Sequence, residues 1–150
     1  MANNVYALLI AIDKYRHPVP PLSGCVQDSN EVQAYLEGTV PTDRLKMKTL
    51  RNEDATRENV IDAFMTHLTQ ADAEDSVFIH YSGHGSQEKT SAVFADIEPD
   101  GKNETLVLYD SRQTINGVYH RDLADKELRA LMHHLGQKNH HSMKMDRIQQ

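Results

Sequence analysis

The run Val5-Tyr-Ala-Leu-Leu-Ile-Ala-Ile12 has no polar interruption. A strand with one wet face alternates apolar and polar residues, so an unbroken run belongs to a strand covered on both faces. Cover on both sides requires helices above and below a sheet. The rest of the chain supplies them in the right grammar. A loop rich in proline (Pro18, Pro20, Pro21) reaches Gly24, and Asp28 or Ser29 can cap a helix through about Leu36, with Gly38 as its stop. Lys46 to Leu50 alternates as a shorter strand, and Thr56 caps a helix with Val60, Ile61, Phe64, Met65 and Leu68 at helical spacing. Ser76 to Tyr81 is the third strand, Glu104 to Tyr109 a fourth extended piece, and Asp125 to Met132 a helix. Alternating strands and helices predict an α/β fold with a mostly parallel sheet, helices on both faces, and the first and third strands adjacent and central.

The last helix should lead into another buried strand. Residues 137–150 hold no apolar run, so they read as a polar tail, and the sheet is expected to be incomplete at its carboxyl end. On this reading residues 1–136 form one partial domain.

Composition narrows the function. A formal charge of −6 argues against a general nucleic-acid partner, which needs a basic face. No apolar stretch approaches the ~18–20 residues of a membrane span. The start Met1-Ala-Asn-Asn lacks a basic, apolar leader, so a cytoplasmic setting is expected. Cys25 is the single cysteine, which excludes an internal disulfide and a cysteine-based zinc cluster. The adjacent pairs His133-His134 and His140-His141 read as surface residues, because neighbours on a helix point about 100° apart.

In open α/β sheets ligands sit beyond the carboxyl ends of the strands. The stretch Val77-Phe-Ile-His-Tyr-Ser-Gly-His-Gly-Ser86 places His84 there, between two glycines that allow close approach of a substrate. An imidazole titrates near neutrality and suits a general acid or base. The Gly85 N–H, unshielded by a side chain, can face a developing oxyanion. From spacing alone, a polar turn is an equal reading.

Phe78-Ile-His-Tyr-Ser-Gly-His-Gly-Ser-Gln87 resembles the histidine motif of caspase-like cysteine peptidases, particularly metacaspases and bacterial orthocaspases. Further blocks follow the same order: Tyr6-Ala-Leu-Leu-Ile-Ala-Ile-Asp-Lys-Tyr15, Leu22-Ser-Gly-Cys-Val-Gln-Asp28, Asp100-Gly-Lys-Asn-Glu-Thr-Leu-Val-Leu-Tyr-Asp110 and Asp125-Lys-Glu-Leu128. The resemblance covers roughly residues 5 to 135. It implies the caspase-like three-layer fold and an endopeptidase in which a cysteine thiolate attacks the peptide carbonyl. His84 would then be the dyad histidine and Gly85 an oxyanion-hole donor. Asp28 and Ser82 would line a pocket for an Arg or Lys side chain, with Cys25 in its wall. The family's nucleophile motif, of the Asp-Cys type after the next buried strand, is not among these residues.

Two of these residues keep a second reading. Asp28 is also a helix cap, and Cys25, placed before a helix that can lower a thiol pKa, is a second candidate nucleophile. No cofactor is required by the resemblance, which allows calcium at Asp96, Asp100, Glu104 and Asp125, whereas the residues alone read as a solvated acidic turn. The expected partner is a peptide or protein with basic residues, and a second chain could complete the sheet. The rival from another class is a non-catalytic caspase-like module that binds a partner.

Overall fold

The computed structural model describes residues 3–89, 102–139 and 142–149. Its centre is a parallel sheet in the order β2-β1-β3-β9, from β1 (Val5–Ala11), β2 (Leu45–Arg51), β3 (Ser76–Gly83) and β9 (Ser142–Gln149). As expected, β1 and β3 are adjacent and interior. Successive residues of β1 serve opposite layers. Leu8, Ile10 and Ile12 pack with Phe64, Leu68, Ile79, Leu108 and Leu135, whereas Ala7 and Leu9 pack with Val32, Leu36 and Phe78. Both sets are buried, which is why the run carries no polar residue. Each fully buried aliphatic side chain contributes about 1.5–3 kcal/mol.

Helix α1 (Cys25–Thr39) covers the second layer. It begins earlier than the sequence suggests. Its N-cap Gly24 adopts φ 117°, and the first N–H groups are taken by a distant carboxylate: Cys25 N–H donates to Asp13 Oδ1 at 2.8 Å and Val26 N–H to Oδ2 at 3.1 Å. Asp28 and Ser29 therefore sit inside the first turns rather than at the cap. Nor does Gly38 stop the helix, which runs on until the Val40 N–H closes on Leu36 O.

The other layer holds α2 (Arg57–Asp62), which continues through a π-helical turn at Ala63–His67 and a 3-10 turn at Leu68–Gln70, and α3 (Asp125–Asn139). Thr56 caps α2 as expected, its hydroxyl accepting from Asn59 N–H. At the start of α3, Glu127 accepts the Ala124 N–H and is ion-paired with Arg57 and Arg121. Burial alone would push the Glu127 carboxyl up. The hydrogen bonds from Arg57 and Ala124 and the charges of Arg57 and Arg121 outweigh it and hold the group below 4.5. A depressed carboxylate stabilises the fold above its unfolded pKa, and that contribution fades as pH falls through the folded value. Glu127→Gln is thus expected to lower the urea midpoint at neutral pH and to converge on the wild type in acid. Equal midpoints at all pH values would show that the pair contributes nothing.

Three further features differ from the sequence expectations. The fourth extended piece ends at Leu106: β5 (Lys102–Leu106) pairs antiparallel with β4 (Gly85–Lys89) and with β8 (Leu123–Ala124), forming a second sheet. A hairpin of β6 (Gln113–Ile115) and β7 (Val118–His120) turns through Asn116 and Gly117, both at positive φ, and was not anticipated. Finally, the described residues 137–139 and 142–149, expected to belong to a polar tail, form regular secondary structure. Helix α3 continues to Asn139, and β9 pairs with β3 in parallel from Ser76↔Ser142 to Gly83↔Gln149.

Candidate active site

The carboxyl ends of β1 and β3 lie side by side, with Ala11 opposite Ser82 and the Ile12 N–H donating to Ser82 O at 3.0 Å. The loop leaving β1 is shaped by one residue. Asp13 holds the start of α1 with its carboxylate and receives the Leu22 N–H on its carbonyl, and Asn52 Oδ1 accepts the N–H groups of Asp13 and Lys14. This brings the first turn of α1 against the end of β3. Ser82, fully buried, donates to Asp28 Oδ2 at 3.4 Å. The Cys25 thiol lies within hydrogen-bonding reach of Ser82 and Asp13.

His84 occupies a junction. Strand β3 ends at Gly83 and β4 opens at Gly85, so this one residue joins the parallel sheet to the antiparallel one. Its half-buried ring packs on Tyr15, with centroids 4.8 Å apart, and Nε2 lies 2.8 Å from Pro20 O. A carbonyl oxygen only accepts, so in the neutral ring Nε2 carries the proton and Nδ1 keeps the lone pair. Gly85 stands opposite Leu106 in the β4–β5 ladder. All of Cys25, Asp28, Ser82, His84 and Gly85 thus meet at one end of the sheet.

Cys25 is buried, and burial pushes its thiol up to about 11, with the carboxylates of Asp13 and Asp28 adding to the rise and Ser82 opposing it. The shift from 9.0 to about 11 removes thiolate by roughly a hundredfold. In the native chain at neutral pH, iodoacetamide is therefore expected to alkylate Cys25 at least ~100-fold more slowly than it does a free thiol, with the ordinary rate returning in denaturant. Rapid alkylation of the folded chain would restore Cys25 as a nucleophile.

The acids associated with calcium are only partly visible. Asp96 and Asp100 lie outside the described residues, Glu104 sits exposed on β5, and Asp125 is ion-paired with Arg129 at 2.8 Å. Among the described residues no group of three or more His, Cys, Asp or Glu could hold a metal, and no helix is long and apolar enough to cross a membrane.

Tyr15, Asp13, Pro20 and Tyr81 were not singled out by sequence reasoning. Asp13 and Tyr15 stand in the first resembling block and Tyr81 inside the histidine motif, so a signal existed for those three. The part Pro20 plays is a backbone carbonyl, which no side-chain pattern announces.

The metacaspase peptidase C14 domain matches residues 6–147. Metacaspase-1 of Mycosarcoma maydis is 36% identical over 131 residues, covering 84% of this chain and 30% of the relative. Metacaspase-1 of Schizosaccharomyces pombe is 33% identical over 132 residues, covering 84% of this chain and 29% of its own length. The chain therefore spans less than a third of the length of the curated relatives it matches. The crystal structure of protein GSU0716 from Geobacter sulfurreducens superposes with a TM-score of 0.69 at 24% identity, over 95% of this chain and 48% of that one. That likeness concerns the fold, and it fits the caspase-like arrangement of helices about a parallel sheet.

Proposed function

From the premise that the chain belongs to the metacaspase peptidase C14 family, we propose that it forms the histidine-bearing part of a cysteine endopeptidase that cleaves after Arg or Lys. The observation that carries this reading is the pose of His84. Its Nε2–H is engaged by Pro20 O at 2.8 Å, which leaves Nδ1 as the base at the end of the sheet. The register of β9 adds a second support. Gln149 lies opposite Gly83 and the two strands run in the same direction, so a residue just beyond β9 would emerge beside His84. A cysteine brought there, in cis or by a second chain, has its acid–base partner in place.

The chemistry is acyl transfer. The thiol proton passes to His84 Nδ1, and the thiolate adds to the scissile carbonyl carbon. The oxyanion so formed is stabilised by backbone N–H donors, Gly85 among them. As the C–N bond breaks, His84 returns the proton to the leaving amine, and water then hydrolyses the thioester by the same relay. Asp28, turned toward Ser82 beside the strand ends, supplies a carboxylate for a guanidinium or ammonium group. Cys25 belongs to the wall of that pocket.

The test supplies the missing thiol. The chain is joined to, or co-expressed with, a segment bearing an Asp-Cys motif after β9 and assayed on peptides ending in Arg, Lys or Asp. Cleavage after Arg and Lys, absent from the 150 residues alone and abolished by Asp28→Ala, is the expected result. An inactive completed protein that still binds basic peptides would favour the second reading, a partner-binding module. The sealed, weakly acidic Cys25 is the observation that favours that reading for these residues by themselves.

A further inference from the structure

On the reading of His84 as the acid–base residue, we infer that Tyr15, backed by Tyr81, is the positioning residue that fixes the imidazole. The two phenols reach the end of β3 from different elements, and their oxygens lie 3.2 Å apart. Between them they hold the backbone of His84 from both sides. Its N–H donates to Tyr15 Oη at 2.9 Å, and its carbonyl accepts from Tyr81 Oη at 2.7 Å and from the Val107 N–H at 3.0 Å. Each phenol has one proton to give, and the carbonyls of Val107 and His84 can only accept. Tyr15 lies 2.8 Å from Val107 O, and Tyr81 has both His84 O at 2.7 Å and Val107 O at 2.8 Å within reach of its one proton.

Tyr15 alone touches His84 twice. Its hydroxyl anchors the N–H, and its ring supports the imidazole at 4.8 Å while Nε2 is held by Pro20 O from the same loop. Displacing Tyr15 therefore shifts both the backbone and the ring of His84. The clamp is closed on its remaining side, because a Cβ at Gly83 would stand 2.5 Å from Tyr15 Oη and 2.6 Å from Tyr81 Oη. Both hydroxyls stay protonated through the neutral range: burial pushes Tyr15 up to about 12 and Tyr81 well above 10. They are fixed donors and acceptors, and neither takes part in proton transfer.

The experiment uses proton–nitrogen NMR on the 150-residue chain, with Tyr15→Phe, Tyr15→Leu, Tyr81→Phe and Val60→Ala as variants. Val60 is a buried core residue on α2, so its truncation lowers stability without touching the clamp. In the wild type, the His84 amide is expected to exchange at least ~10-fold more slowly than in an unstructured peptide, and the His84 Nε2 proton to be visible. Tyr15→Phe, which keeps the ring, should speed amide exchange about tenfold; Tyr15→Leu, which removes the ring as well, should also abolish the Nε2 signal; Tyr81→Phe should do less, and Val60→Ala should leave both signals in place. Unchanged His84 amide exchange in folded Tyr15→Phe, a retained Nε2 signal in folded Tyr15→Leu, or equal disturbance by Val60→Ala, would overturn the proposal. If Tyr15→Phe fails to fold, the wild-type amide decides, because exchange at the peptide rate would sink the clamp outright. In a cysteine-completed protein the same variant should lower kcat with KM held. Absence of any cleavage there would count against the peptidase reading while leaving the NMR result to judge the clamp.

Discussion

In a chain completed with a nucleophilic cysteine, His84→Ala is expected to lower kcat/KM on Arg and Lys peptides by about 10²–10⁴-fold, the usual worth of a positioned general acid–base. The same substitution should cost less than about 1.5 kcal/mol of stability, the range of one hydrogen bond. The ring is only half-buried, and the bonds to Tyr15, Tyr81 and Val107 are made by the His84 backbone, which alanine keeps. What is lost is the contact of Nε2 with Pro20 O and the tilted ring contact with Tyr15. Parallel measurement of turnover and of the urea midpoint separates the two effects. A fall in turnover matched by collapse of the fold would show that His84 is a structural residue. Retained turnover would show that another group moves the proton.

Gly83→Ala is expected to destabilise the fold by about 2–3 kcal/mol, or to lower Tm by roughly 5–10 °C. The added methyl group would meet Tyr15 Oη, Tyr81 Oη and Tyr81 Cζ, the last at 2.9 Å. These atoms belong to stiff, buried rings whose oxygens are bonded on both sides, so neither ring can swing away without giving up bonds to Val107 and His84. Strand β3 cannot retreat either, since it is paired with β1 on one edge and β9 on the other. Gly38→Ala is the control. Nothing lies within 4 Å of a Cβ there, and alanine in place of a helical glycine should stabilise by about 0.5–1 kcal/mol. A Gly83→Ala chain as stable as the wild type would show that the phenols yield freely.

The parts of the fold that were legible in the sequence are those whose causes are local. The continuous runs of β1 and β3 report burial on two faces, and Thr56 reports a cap that acts three residues away. The start of α1 was misplaced because its cap, Asp13, comes from a loop 12 residues earlier, beyond the reach of a local rule. Strand β9 was missed for a related reason. Lys144, Asp146 and Arg147 break the apolar run that a strand buried on both faces shows; β9 stands at the end of the sheet order, and what marks it as a strand is a backbone ladder with β3. The β6–β7 hairpin is a different case. Asn116-Gly117 between Ile115 and Val118 is a strong turn signal, and it went unused. At the site, His84 was visible as a residue type at a strand end, and Asp28 and Ser82 through the family resemblance. The partners that orient His84 are a carbonyl and two phenols brought together by tertiary packing.

The spacing of those partners has a consequence for synthesis. Asp28 waits 54 residues for Ser82, Tyr15 waits 69 for His84, and Tyr15 waits 92 for the Val107 carbonyl. A chain made from its amino end, at about 5–20 residues per second, therefore exposes its most apolar strand for several seconds before both neighbours exist. During that interval Leu8, Leu9 and Ile10 have only β2, α1 and then the α2 segment to cover them, and the edge awaiting β3 is unpaired. Long-range parallel pairing is slow to form and sensitive to aggregation while it waits. Contacts so distant in sequence give the nascent peptide no site at all until β3 emerges, so acquisition of the His84 environment is a late event of biogenesis.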